Sequence, residues 1–350
     1  MIDCGLIGFG LGGRAFHAPF LATVPGLRLA AVMQRTGDDA ARIYPGTKLV
    51  RTPEELLAIP SIQLIAISTP NHTHAPLTKL CLEAGKDVVV DKPFATTVTE
   101  ARELIAVAKK TGRFLTAFQN RRLDGDFLTA KKLIDLGTLG RLLRFEETFD
   151  RCRPAIRQMW KEKPGPGTGV FYDLGPHLID HALNVLGVPE AIYADIRAER
   201  ENAPNDDAFD VTFYYPKEAR AYLSSGTLIP IPRPHFRVLG TKGMYVHQNL
   251  DPQEALLRAD VRVGGDDWGM EKEEEWGTLA EFDATARITQ RKVQTERGDY
   301  RKFYENVRDV ILGKAKPLVT LEQVLHVMYA LELSVESSAQ RKALSWKLEP

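Results

Sequence analysis

Short apolar runs alternate with amphipathic stretches through the first third of the chain. Ile2–Ile7, Leu29–Met33, Leu64–Ser68, Val88–Val90 and Phe114–Phe118 read as strands covered on both faces. Between them, Arg14–Thr23, Asp38–Ile43, Pro76–Ala84 and Thr99–Lys110 read as helices, and Gly85 supplies a glycine stop for the third. This alternation predicts an α/β class with a doubly wound parallel sheet. Near Asn120-Arg121-Arg122 the pattern changes. Leu143–Phe149, Ala191–Arg200, Phe209–Tyr215, Arg220–Thr227 and Phe236–Leu239 alternate in part between polar and apolar, which predicts antiparallel strands with one covered face. Gly240-Thr241-Lys242-Gly243 marks a turn, and Arg301–Leu312 and Leu321–Gln340 return to helix. The expected division is therefore 1–120 and 121–350, with Asp266–Glu275 as an acidic, Trp-containing loop or arm of unread purpose.

Length and charge narrow the classes. A chain of 350 residues fits two domains better than one core. Lys plus Arg and Asp plus Glu number 46 each, so net charge gives no case for nucleic acid or an anionic membrane surface. No apolar run approaches the roughly 20 residues of a membrane span, and the N-terminus enters a strand pattern without a basic leader. Cys4, Cys81 and Cys152 are too sparse for a disulfide framework and lack metal spacing, so a reducing, cytoplasmic setting is expected.

The chemistry is concentrated at strand ends. Gly8-Phe9-Gly10-Leu11-Gly12-Gly13 follows a strand and precedes a helix, so Gly8, Gly10 and Gly13 fit the GxGxxG of a Rossmann dinucleotide site. The second strand ends Met33-Gln34-Arg35-Thr36, without the acid that usually takes the ribose diol of NAD. Arg35 and Thr36 suit a 2′-phosphate, so NADP is expected ahead of NAD. Thr69, Pro70, Asn71 and His74 follow the strand ending at Ser68 and are candidates for the same pocket, with His74 also read as a helix-packing residue. Asp91-Lys92-Pro93 closes another strand, and Pro93 restricts the lysine to an extended backbone. Lys92 is thus a candidate to polarise a substrate oxygen.

Asp173 and His177 stand four apart in a helical stretch, where a carboxylate orients an imidazole for general acid–base work. His181 continues that face, but three ligands along one helix converge poorly on an ion, so no metal is expected. His17, Asn120, Arg153, Trp160 and His235 are weaker substrate candidates, His17 being as readily a packing residue.

The glycine loop, Asp91-Lys92-Pro93 and Asp173-x-Gly-x-His177-x-x-Asp180 together resemble the glucose–fructose oxidoreductase/inositol dehydrogenase (Gfo/Idh/MocA) family over almost the whole chain. Phe16-His17-Ala18-Pro19, Asn120-Arg121-Arg122 and Tyr172-Asp173-Leu174-Gly175 are similar to its NADP-dependent scyllo-inositol 2-dehydrogenase branch. The resemblance implies a C-terminal α+β domain with a large, mostly antiparallel open sheet, and a homodimer or homotetramer formed through it. It also implies Lys92 on the substrate hydroxyl, His177 as acid/base with Asp173 in support, and a polyol or sugar as substrate. Asp91 departs from it, since the family usually has glutamate there. A reductase of a sugar-derived ketone or aldehyde, and a cofactor-binding sugar sensor without turnover, remain as alternatives.

Overall fold

The computed structural model describes residues 1–261 and 263–348. The chain opens with β1 (Ile2–Ile7), α1 (Ala18–Thr23), β2 (Leu27–Met33), α2 (Asp39–Ile43), β3 (Lys48–Val50) and α3 (Pro53–Leu57). It continues with β4 (Ile62–Ile67), α4 (His74–Glu83), β5 (Asp87–Val90), α5 (Val98–Thr111) and β6 (Leu115–Ala117). These strands form one parallel sheet in the order β3-β2-β1-β4-β5-β6. The order reverses between β1 and β4, the place where such sheets bind ligands beyond their carboxyl ends. Every residue of β1 and β5 is buried, and apart from Asp3 and Asp87 neither strand carries a charged residue.

Next come α6 (Gly125–Asp135), β7 (Leu142–Thr148), α7 (Gly169–Leu186), β8 (Ala191–Arg197), β9 (Ala208–Tyr214) and β10 (Arg220–Gly226). They are followed by β11 (Phe236–Gly240), β12 (Gly243–His247), α8 (Gln253–Arg258), β13 (Gly277–Phe282) and β14 (Ile288–Val293). The chain closes with α9 (Arg301–Ile311), α10 (Leu321–Gln340) and β15 (Leu344–Ser345). Nine strands make the second sheet, ordered β14-β13-β12-β11-β7-β10-β9-β8-β15. All its pairings are antiparallel except β7 with β10.

Compactness divides the chain into two units. One holds Met1–Asn120 with Gln253–Trp268 and Tyr300–Leu325; the other holds Arg121–Pro252, Gly269–Asp299 and the chain from His326 onward. The chain leaves the first unit after Asn120 and returns to it twice.

Register explains the two faces of the larger sheet. Ala194, Val211, Leu223, Glu147, Phe236 and His247 are successive partners across β8, β9, β10, β7, β11 and β12, and all are buried. The neighbouring row, Tyr193, Thr212, Tyr222, Glu146 and Arg237, points the other way, with Tyr193 37% and Tyr222 38% exposed. Against the buried face lies α7. There Arg122 forms two bonds with Asp180, at 2.7 and 2.6 Å, and His181 Nδ1 lies 2.9 Å from Glu147 Oε1 while its ring stacks on Phe127.

The sequence pattern did not predict β12, β13 or β14. The last is polar and largely exposed, so its strand character comes from pairing with β13 rather than from an apolar face. Asp266–Glu275 is mostly exposed but is fastened by two of its residues. In the first unit Trp268 is buried and donates to Gln253 at 3.2 Å; in the second, Glu271 lies 2.9 Å from His247 Nε2 and accepts from Thr295 at 2.6 Å.

Because Arg122 and Asp180 are both buried, removing one partner strands the other's charge. Arg122→Met is expected to cost about 3–5 kcal/mol by urea unfolding, and Arg122→Met with Asp180→Leu to recover most of that loss.

Candidate functional site

In the first unit the glycines divide their work. Gly8 adopts φ +97°, and a Cβ there would sit 2.1 Å from the Ser68 carbonyl oxygen; at Gly13 it would sit 2.0 Å from that of Gly8. These two are the turn and the close-packing positions. At Gly10 a Cβ would meet nothing within 4 Å, so that glycine faces open space in which a pyrophosphate can approach the backbone. Gly12 would strike Ser68 Oγ at 2.4 Å. Leu11 is exposed, whereas Phe9 packs edge-on against Tyr44. The residues present therefore fit a dinucleotide. The helix that follows starts with a π turn, Gly13–His17, before α1, in which Pro19 has no N–H to bond one turn back.

At the end of β2, Arg35 and Thr36 are exposed. Sequence reasoning missed what holds them. Gln34 accepts from Ala40 N at 3.0 Å, and Arg51 donates to the carbonyls of Gln34 and Gly37 at 2.8 and 2.6 Å. Asp39, in the first turn of α2 as expected, is engaged by Arg42 and Gln34.

Beyond β4, Asn71 is buried, and His74 ties two loops together: its Nε2 lies 2.9 Å from the Thr69 carbonyl and its Nδ1 2.7 Å from that of Pro93. Beyond β5, Asp91 accepts from Ser68 Oγ at 3.0 Å and from the Lys92 amide at 2.8 Å, and His17 Nε2 lies 3.6 Å away. Burial alone would raise the Asp91 pKa, but the His17 contact with the charges of His17, Lys92 and His74 holds it well below the usual carboxylate range. His17, fully buried, has Nδ1 2.6 Å from the Tyr304 hydroxyl. It offers no surface to a ligand and faces Asp91 instead. Asn120 is buried at the end of this segment.

In the second unit, α7 is fixed at its start by Asp206, which accepts from Phe171 N at 2.7 Å. Asp173 sits one turn in, its Oδ1 2.5 Å from Lys161 and its Oδ2 3.8 Å from Arg151. His177 follows one turn later and is 5% exposed. Arg153 and Trp160 lie, partly buried, in the loop before α7. His235 was read as a substrate contact, but it is buried in the core. Its Nδ1 is 2.6 Å from the Thr148 carbonyl and its Nε2 3.4 Å from Asp126, and burial lowers its pKa to about 3. Among the described residues no group of His, Cys, Asp and Glu is arranged to hold a metal ion.

Two family models cover most of this chain. Residues 2–119 match an oxidoreductase family with an NAD-binding Rossmann fold, and residues 127–246 match the GFO/IDH/MocA C-terminal domain. The chain belongs to the GFO/IDH/MocA oxidoreductase family. Uncharacterized oxidoreductase YdgJ of Escherichia coli is 40% identical over 98% of both chains. The scyllo-inositol 2-dehydrogenase (NADP(+)) IolW of Bacillus subtilis is 33% identical over 98% of this chain and 95% of its own. The solved structure of putative oxidoreductase yvaA from Bacillus subtilis superposes with a TM-score of 0.95 at 32% identity, covering 99% of this chain and 98% of that one. Among the described residues of this GFO/IDH/MocA member, no helix is long and apolar enough to cross a membrane.

The glycine geometry separates folding from binding. Gly10→Ala is expected to keep the wild-type melting temperature while weakening cofactor binding at least tenfold by titration calorimetry. Gly13→Ala, with its Cβ against backbone, is expected to lower the melting temperature itself.

Asp126 supplies a pH signature. Burial pushes its pKa up to about 7 from an ordinary 3.8, so between those values the folded chain holds a proton that the unfolded chain has lost. The stability this proton contributes is complete below pH 4 and disappears as pH rises through 7. Urea unfolding at pH 5 and 7.5 should therefore show a steeper fall for the wild type than for Asp126→Asn.

Proposed function

We propose that this oxidoreductase interconverts a secondary alcohol and a ketone on a cyclic polyol or sugar with NADP(H), an inositol of the scyllo type being the first choice. The observation that carries the reading is the carboxylate–imidazole pair Asp173 and His177 in the second unit, with Lys92 assigned to it from the first. The lysine follows β5 on the ligand edge of the parallel sheet, and the other two stand one turn apart on α7. The name of the IolW relative supports the polyol and the NADP(+).

Bound nicotinamide supplies the acceptor or donor of the hydride. Gly8–Gly13 and the amides of the following turn would hold the pyrophosphate, and Thr69, Pro70 and Asn71 would line the nicotinamide end. Arg35 and Thr36 would take the 2′-phosphate, since Asp39 is already engaged. Lys92 polarises the substrate oxygen, and His177 takes the hydroxyl proton in oxidation and returns it in reduction. Asp173 orients the imidazole and accepts from a substrate hydroxyl. Asp91 keeps the backbone of Lys92 in place through its amide. The exposed Tyr193–Tyr222 row is the face on which we place a homodimer or homotetramer contact.

A spectrophotometric screen of inositols, inososes and aldoses with NADP and NAD is the direct test. Turnover is expected with a cyclic polyol and NADP; turnover confined to ketones or aldehydes in the reductive direction would favour a sugar reductase. Lys92→Ala and His177→Ala should each lower kcat by about 10²–10⁴ with cofactor affinity retained, and wild-type turnover in either removes that residue's role. Arg35→Ala should raise KM for NADP about 10–100-fold and leave KM for NAD within a factor of about two, as expected for one charge-assisted contact.

A further inference from the structure

Asp173 is held by a loop, not only by its own helix. Lys161 Nζ stands 2.5 Å from one carboxylate oxygen, with the Trp160 ring 5.6 Å from the ammonium, and Arg151 stands 3.8 Å from the other oxygen. The loop is fastened from below. Arg200, buried, lies 2.8 Å from Asp207 and donates to the Ala155 carbonyl and to Glu162, both at 3.2 Å. Glu162, next to Lys161, also accepts from Arg157 at 2.8 Å. An ordinary surface ion pair loses much of its gain to side-chain freedom. Here the backbone beside Lys161 is tied down through Glu162, so the freedom lost when the pair forms is that of the lysine side chain alone.

That arrangement bears on His177, which lies four residues along the same helix face. A bare carboxylate at this spacing favours the imidazolium, and a cation seated on the carboxylate opposes it. Other charges packed around this stretch have partners of their own. Arg122 is on Asp180, Glu147 is on His181, Arg121 is 3.0 Å from Asp124, and Asp206 accepts from the start of the helix. Glu332 acts on Tyr172 from α10, and Arg151 faces Asp173 from farther away than Lys161 does.

We propose that Lys161 is a positioning residue: by holding Asp173 and offsetting its charge, it sets the pH at which His177 becomes a proton acceptor. The catalytic meaning of this assignment rests on the roles given above to Asp173 and His177. Its test does not need turnover. In the full-length protein the His177 ring signal, assigned by its loss in His177→Asn, is titrated by NMR in wild type, Lys161→Met and Lys161→Arg. The midpoint is expected to rise by about 0.5–1 pH unit in Lys161→Met, from the loss of one nearby opposing charge, and to return in Lys161→Arg. The acidic limb of kcat/KM for alcohol oxidation should move by the same amount. An unchanged His177 midpoint in a Lys161→Met protein of wild-type melting temperature overturns the proposal; Lys161→Gln serves if the methionine variant melts early. A shifted midpoint in a protein that turns over no polyol or sugar sustains the positioning role and sinks the functional reading alone.

Discussion

The geometry of α7 depends on a buried acid. Glu147 stands in the middle of an otherwise largely apolar row of the large sheet and meets His181 at 2.9 Å, both side chains being 1% exposed. Burying such a pair costs several kcal/mol in desolvation, so stability alone is a poor account of it. Its effect is directional. An apolar helix packed on an apolar sheet face can slide or rotate with modest loss, whereas this pair and the adjacent Arg122–Asp180 bonds admit one rotation and one height. Asp173 and His177, two turns and one turn nearer the helix start, inherit that placement. Desolvation is therefore spent on the orientation of the residues to which we assign the chemistry.

The parallel sheet solves a similar problem with fewer charges. Its carboxyl edge brings the ends of β1, β4 and β5 side by side, and Ser68 and Asp91 fasten two of them together. Asp91, where the resemblance led to an expectation of glutamate, accepts from Ser68 and from the amide of Lys92, with His17 3.6 Å away. The carboxylate thus serves the backbone that presents Lys92.

How much of this was legible depended on how each residue announces itself. Buried parallel strands such as Ile62–Ile67 are nearly continuous apolar runs, and the glycine loop carries its own spacing, so the first sheet was readable almost strand by strand. The π turn at Gly13–His17 lies just ahead of Pro19, whose missing N–H is the residue-level sign of an irregular helix start. Ile288–Val293 gave no notice, because an exposed edge strand owes its form to its neighbour. Glu147 was hidden for a different reason: an acid in an alternating segment is read as facing water. One signal was present, since Glu147 lies two residues from buried Phe145 and hence on the same face. His235 misled in the opposite sense, a polar residue offered to a substrate that belongs to the core. Gln34 and Arg51 hold the β2 tip through backbone groups, a role that no residue spacing displays.

The return of the chain to its first unit has a practical meaning for recombining this protein with others. Tyr304, from the segment after Asp299, supplies the hydroxyl 2.6 Å from His17, which in turn faces Asp91. Thr116 likewise bonds to the Val319 carbonyl at 2.9 Å. A chimaera cut at residue 120 would therefore carry the glycine loop and Lys92 but leave behind the tyrosine that steadies His17. The transferable module is discontinuous, and its crossover points lie after Asn120 and on either side of both returning segments.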